Sequence, residues 1–306
     1  KSTEAMTKDF LIADFRIRID GEGWIGTLGH FGRALRGFEV PHDPDAATVL
    51  TLRTDPCGQP DSGRFRTLDE FDFPEVNALC RFAAADDGYL FTMTLDSGET
   101  LWFHKRGSSP EARCNLAECR GCKEIGSLMR FGLWMLYGIA VAPHHAIAIH
   151  SSTVCRPEGA VLFLGESGTG KSTHTRLWLE HIPDTALLND DSPIIRMKAG
   201  VPTVYGSPWS GKTPCYKQES HPIRGLVRLS QAPHNRMQRL PVIRAIGALL
   251  PSCPPAFAYD TALQDAVCET LSEMLGRTPV YRLECLPDAD AARLSFETTL
   301  GHAADR

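Results

Sequence analysis

"GAVLFLGESGTGKSTHTRLW", Gly159 to Trp178, decides how this chain is read. A run of small and apolar residues leads into a glycine-rich loop, and Lys-Ser-Thr then opens a helical segment. Gly165, Gly170, Lys171 and Ser172 fit the pattern G-x-x-x-x-G-K-[ST]. Glycine at these positions lets successive backbone N–H groups converge on phosphate oxygens, where side chains would obstruct them. Ser167, Gly168 and Thr169 fill the loop and Thr173 follows it, so Gly165, Ser167 to Gly170, Lys171, Ser172 and Thr173 form the expected nucleotide-binding set. Lys171 would neutralise the β- and γ-phosphates and the Ser172 hydroxyl would ligate Mg2+, with the positive end of the following helix adding to the attraction. The expected ligands are therefore ATP and Mg2+.

Further along, "LLNDDSPIIR" ends an apolar strand in two carboxylates, Asp190 and Asp191. A strand end of this kind beside a phosphate loop supplies a second Mg2+ contact. Two consecutive carboxylates allow one to hold metal while the other handles a proton. The structural alternative is an Asp-Asp-Ser-Pro turn whose carboxylates cap backbone N–H groups.

Around this centre the pattern alternates between strand and helix. "TALLND", "IRGLVRLSQ" and "PVYRLEC" read as strands, and "SPIIRMKAGVPTVYG" as a hairpin turning at Lys198-Ala199-Gly200. "VIRAIGALL", Thr261 to Leu275 and the segment from "DADAARL" read as helices. This mixture predicts an α/β domain with a mixed sheet over residues 126–306. Residues 1–125 read as a smaller, β-rich α+β region: "DFRIRIDG" alternates, and "GYLFTMTLDSGETLWFHKR" is a hairpin. "RTDPCGQPDSGRFRTLDEFDFPE" is predicted to be loop, and a helix is predicted from Glu124 to Val141.

The 306 residues are 42% hydrophobic, enough for a sizeable core, and the net charge of −5 argues against nucleic acid or an anionic membrane as the main partner. "FGLWMLYGIAVAP" reads as a buried helix rather than a membrane span, and "KSTEAMTKDF" has no hydrophobic signal core, so a cytoplasmic location is the default expectation. Of the ten cysteines, Cys114, Cys119 and Cys122 stand close together in "CNLAECRGC". They read as free thiols or an incidental disulfide. A metal site is the alternative, although no nearby residue offers an obvious fourth ligand.

His150 in "AIAIHSS", then "GESGTGKST", then Asp190 and Asp191 together resemble the HPr kinase/phosphorylase family, whose nucleotide-binding core is shared with phosphoenolpyruvate carboxykinases. The match covers roughly residues 145 to 230. The resemblance implies an HPr-kinase/PEP-carboxykinase-like fold for the second domain. It also implies that Asp190 is the general base, that Asp191 is the Walker-B-type metal contact with Ser172, and that His150 stands near metal and phosphates. An Asp can serve as base here because an alcohol becomes acidic only as its oxygen bonds to phosphorus. The chain departs from the family at "HPIRGLVRLSQ", which keeps only Arg224-Gly225-Leu226 and has Pro222 near where a Glu would stand, so the resemblance does not carry over the phosphorylase activity or HPr as the acceptor.

Two further stretches are candidates for substrate or phosphate contact. Gly206, Ser207, Pro208, Trp209 and Gly211 read as a rigid loop that presents Lys212, or as a surface turn with a packing Trp. Asn235 and Arg236 would contact nucleotide or finish a strand. The expected activity is ATP-dependent phosphoryl transfer to a hydroxyl on a protein, a peptide or a small molecule, from a chain that would form homo-oligomers as related kinases do. The alternatives are a carboxykinase-type lyase and a non-catalytic nucleotide-sensing or scaffold module.

Overall fold

The computed structural model describes residues 7–21, 24–54, 58–119, 121–211 and 213–301. It is an α/β structure with mixed sheets, divided into two compact units. One unit runs to His144 and takes in Ala256–Thr261; the other holds His145–Pro255 and the chain from Ala262 onward.

The first unit is built on a sheet of nine strands: β1 (Lys8–Ile12), β2 (Phe15–Asp20), β3 (Glu39–Val40), β4 (Leu50–Arg53), β5 (Arg66–Phe73), β6 (Ala78–Ala85), β7 (Gly88–Leu95), β8 (Thr100–Arg106) and β9 (Glu111–Cys114). Their order is β3-β1-β2-β4-β9-β8-β7-β6-β5. Short helices α1 (Trp24–Thr27) and α2 (Gly29–Arg36) precede the long α3 (Ile125–Val141). Phe131 of α3 packs on Phe71, Phe73 and Phe91 of the sheet, and Tyr137 donates a hydrogen bond to the Ile12 carbonyl (3.0 Å). Those contacts keep α3 with the first unit, so the division falls after His144 rather than near residue 125. The helix and its 3-10 extension, Ile125–His144, reach the length and hydropathy of a membrane span, longer than the apolar run suggested; 72% of the window is buried inside the fold. The region predicted as loop contains β5, an edge strand whose charged residues Asp69, Glu70 and Asp72 hide its pattern. Charge on an edge strand discourages pairing with another chain.

The second unit carries β10 (Ala146–Ala148), β11 (Ser151–Arg156), β12 (Gly159–Leu164), β13 (Ala186–Asp191), β14 (Ile194–Lys198), β15 (Val201–Tyr205), β16 (Ser220–Gln231), β17 (Arg236–Arg239) and β18 (Val280–Cys285). Helices α4 (Lys171–His181), α5 (Val242–Leu249), α6 (Thr261–Leu275) and α7 (Ala289–Thr299) complete it. The main path is β10-β14-β15-β16-β12-β11-β13, with β18 beside β16 and β17 beside β18. The strands β12, β16 and β18 run parallel, and the remaining pairings are antiparallel. The hairpin β14–β15 turns at Ala199 and Gly200, both in the left-handed region (φ +48° and +77°).

Packing of α4 and α7 on the parallel strands fixes the start of α4. Phe163, Trp178, Val227 and Leu283 form a buried cluster there. Inside it the Ser295 hydroxyl meets His174 Nε2 (2.9 Å) and accepts from Trp178 Nε1 (2.8 Å), and it donates to the Ala292 carbonyl (3.0 Å). Burial pushes the His174 pKa down to about 4, so this histidine is neutral and cross-links the two helices.

Candidate functional site at the head of helix α4

Strand β12 delivers the chain to the glycine-rich loop at Leu164, and α4 begins at Lys171. Gly170 caps α4 with φ +101°, a left-handed conformation that L side chains rarely adopt, and a side chain there would meet open space. The requirement for glycine is therefore conformational, and the ground in front of the helix stays clear. No side chain caps this helix N-terminus, which leaves its N–H groups and about half a positive charge for a ligand. Lys171 Nζ donates to the carbonyls of Gly165 (2.7 Å) and Glu166 (3.1 Å), folding back over the loop. Burial lowers the Lys171 pKa, with Arg228 adding to the fall, while Asp191 and Asp190 oppose it.

Asp190 is 9% exposed and accepts two hydroxyl donors on one oxygen: Ser152 Oγ at 2.8 Å and Ser172 Oγ at 3.1 Å. Ser152 also meets Thr175 Oγ1 (2.7 Å), and Thr175 bonds the Lys171 carbonyl (3.0 Å). The chain Thr175–Ser152–Asp190–Ser172 thus ties the first turn of α4 to β11 and β13. Nothing in the sequence singled out Ser152 or Thr175, because a lone hydroxyl residue in a strand or helix carries no signature.

Asp191 takes a different neighbour. Its Oδ1 stands 3.2 Å from His150 Nδ1, and the His150 side chain is 46% exposed. Consecutive strand residues point to opposite faces, so one carboxylate turns toward α4 and the other toward His150. The contacts differ from the expected pairing of Ser172 with Asp191: the Ser172 hydroxyl donates to Asp190, and Asp191 is the partner of His150. His150 itself lies between β10 and β11 rather than on a strand, held by its backbone N–H to the Ser252 carbonyl (2.7 Å).

The turn that carries both carboxylates is fixed from inside by Asn189, which is fully buried. Its Oδ1 accepts from the backbone N–H groups of Asp191 (3.0 Å) and Ser192 (2.9 Å). Its Nδ2 donates to Ser207 Oγ (3.2 Å) and to the Trp209 carbonyl (3.1 Å). Trp209 is buried, and a Cβ on Gly211 would lie 2.6 Å from the Asp190 carbonyl, so only glycine allows this approach. The segment from Gly206 to Gly211 is thus a brace under the carboxylates; Lys212 lies outside the described residues.

Two cavities border the loop. One of about 610 Å³ is lined by Glu166 to Thr169 together with Arg228, Arg244 and Arg282. The other, about 560 Å³, touches Gly168 to Gly170 and Thr173, with Leu177, Leu229, Leu286 and Pro287 as apolar walls. Arg228 and Arg282 oppose each other on β16 and β18, an arrangement of like charges that costs free energy without an anion nearby. Glu166 stands 3.6 Å from Arg228, and Glu284 3.3 Å from Arg282. Arg236 lines neither cavity: it opposes Glu284 on the β17–β18 pair, while Asn235 donates to Asp288 (2.9 Å) and accepts from the Leu286 N–H (2.8 Å), closing the strand.

Cys114, Cys119 and Cys122 are buried, and burial raises the thiol pKa of the latter two. They do not gather as ligands among the described residues. The chain matches no protein-family model, and no significant relative was found among curated proteins.

Proposed function

We propose that this chain is an ATP-dependent phosphotransferase that passes the γ-phosphoryl group to a hydroxyl acceptor, a reading in line with the resemblance to HPr kinase/phosphorylase and its fold. One observation carries it: Lys171 and Ser172 open α4 at an N-terminus with no side-chain cap, Ser172 is bonded to Asp190, and the adjoining Asp191 is paired with His150. The phosphates would lie on the backbone N–H groups of the loop, and the nucleoside in the cavity walled by Leu177, Leu229, Leu286 and Pro287. That leaves the arginine-lined cavity for an acceptor that carries negative charge.

Ser172 Oγ and Asp190 Oδ1 are hard oxygen donors side by side, the donor type that Mg2+ takes. Bound there, Mg2+ would neutralise charge on the transferred group and its leaving oxygens. With Asp190 committed to the metal side, Asp191 is the carboxylate left to accept the acceptor's proton, and His150 orients it or takes the proton on. Lys171 holds the phosphates as a point charge, and Ser152 keeps Asp190 aimed at Ser172.

Incubating the purified chain and a native lysate with γ-labelled ATP tests this. Label entering a macromolecule or small molecule, and failing to enter with Asp190→Asn or Lys171→Ala, is the expected result. ATP binding without transfer to any lysate component would leave only a nucleotide-sensing role.

A further inference from the structure

On the second unit's sheet, away from the glycine-rich loop, three side chains of metal-ligating type meet. Cys155 on β11 opposes Ala160 on β12, and Ala160 opposes Ile223 on β16. His221, two residues before Ile223 on the same strand, projects from the same face. The side chain between them is only a methyl group, so the thiol and the imidazole can reach toward each other across β12. Glu219 enters just ahead of β16, where its carbonyl accepts from the Gly206 N–H (3.0 Å).

A ligand atom of each lies within 4.8 Å of the other two: Cys155 Sγ, a Glu219 carboxylate oxygen and a His221 ring nitrogen. The Cys155 side chain is buried. His221 Nε2 is buried and has no hydrogen-bond partner, with the nearest Glu219 oxygen 3.6 Å away. An unsatisfied ring nitrogen costs free energy that a ligand can recover.

Thiolate, imidazole and carboxylate together select a borderline-soft ion, and zinc accepts all three at about 2.0–2.3 Å. We infer that Cys155, Glu219 and His221 form a zinc site with three protein ligands and a fourth position open to water. Binding releases the Cys155 proton, so affinity rises with pH. The ion ties the approach to β16 onto β11, the strand whose Ser152 donates to Asp190. This inference stands independently of the phosphotransferase reading.

The test uses the full chain, stripped with a chelator and reloaded with Zn2+ or Co2+. One zinc per chain is expected by elemental analysis, and Co2+ should give the near-ultraviolet charge-transfer absorption of a thiolate ligand. Cys155→Ala abolishes that absorption. Glu219→Gln, at an exposed position the fold tolerates, and His221→Gln each weaken zinc binding by at least about tenfold. The site is refuted if the wild-type chain takes up no stoichiometric zinc, or if the three variants bind zinc as the wild type does.

Discussion

Two buried carboxylates, one in each unit, differ in what surrounds them. Asp9 on β1 is 0% exposed and meets Arg16 (2.8 Å), both nitrogens of the Arg18 fork (2.8 and 3.1 Å), His42 (3.2 Å) and the Asp43 N–H (3.3 Å). Burial alone would raise its pKa, but Arg18, His42, the Asp43 N–H and Arg16 together hold the carboxyl well below the usual range. Asp190 is almost as buried, yet the described residues put only two hydroxyls against it and no cation within ion-pair distance. Fully compensated, Asp9 has nothing left to bind. Among the described residues Asp190 is met by hydroxyl donors alone, which do not neutralise a carboxylate, and that is what a site for a cation needs.

Replacing each carboxylate separates the two cases. Asp9→Ala leaves two guanidinium groups without their shared partner and should lower stability by about 3–5 kcal/mol in urea unfolding. It should leave the ATP affinity of the folded protein intact. Asp190→Asn should do the opposite: little change in the urea midpoint, and phosphoryl transfer slower by about 10²–10³-fold, the range seen when one electrostatic contact to a developing charge is lost. A large loss of stability in Asp190→Asn would place this carboxylate with Asp9.

The contrast extends to pH. The folded-state pKa of His174 is lowered to about 4 from 6.5, so the unfolded chain binds the extra proton first as pH falls. Stability from this group is fully present above about pH 6.5, is lost as pH drops toward 4, and falls no further below that; the total is up to about 3 kcal/mol. His174→Gln should flatten the profile in that window when unfolding is followed against pH. The Asp9 contribution is lost only at lower pH, below the ordinary carboxylate pKa, because its folded pKa is depressed. The smallest effect belongs to Ser152→Ala, which leaves Asp190 with a single donor and should slow transfer by about tenfold, about the net value of one hydrogen bond to a charged group.

Much of the second unit was legible in the chain. The glycine-rich loop, the strand before it, the helix after it and the carboxylate pair are local patterns, and local patterns survive without knowledge of the fold. Which carboxylate meets Ser172 and which meets His150 was not legible, because the face each one takes depends on the pairing of β11 with β13. Asn189, Ser152 and the arginines at 228, 244 and 282 also escaped, since the groups they touch or the cavity they line bring together segments far apart along the chain. In the first unit β5 was missed because its charges mask the alternation, and α3 was assigned to the wrong side of the boundary because only its packing shows which sheet it covers.

The most direct measurement is the Mg2+ dependence of ATP affinity, taken on the wild-type chain and on Asp190→Asn. If Ser172 and Asp190 form the metal position, Mg2+ tightens ATP binding to the wild type, while Asp190→Asn binds metal-free ATP normally and loses most of the Mg2+ enhancement. An equal enhancement in both proteins would contradict the account and return Asp190 to a structural role.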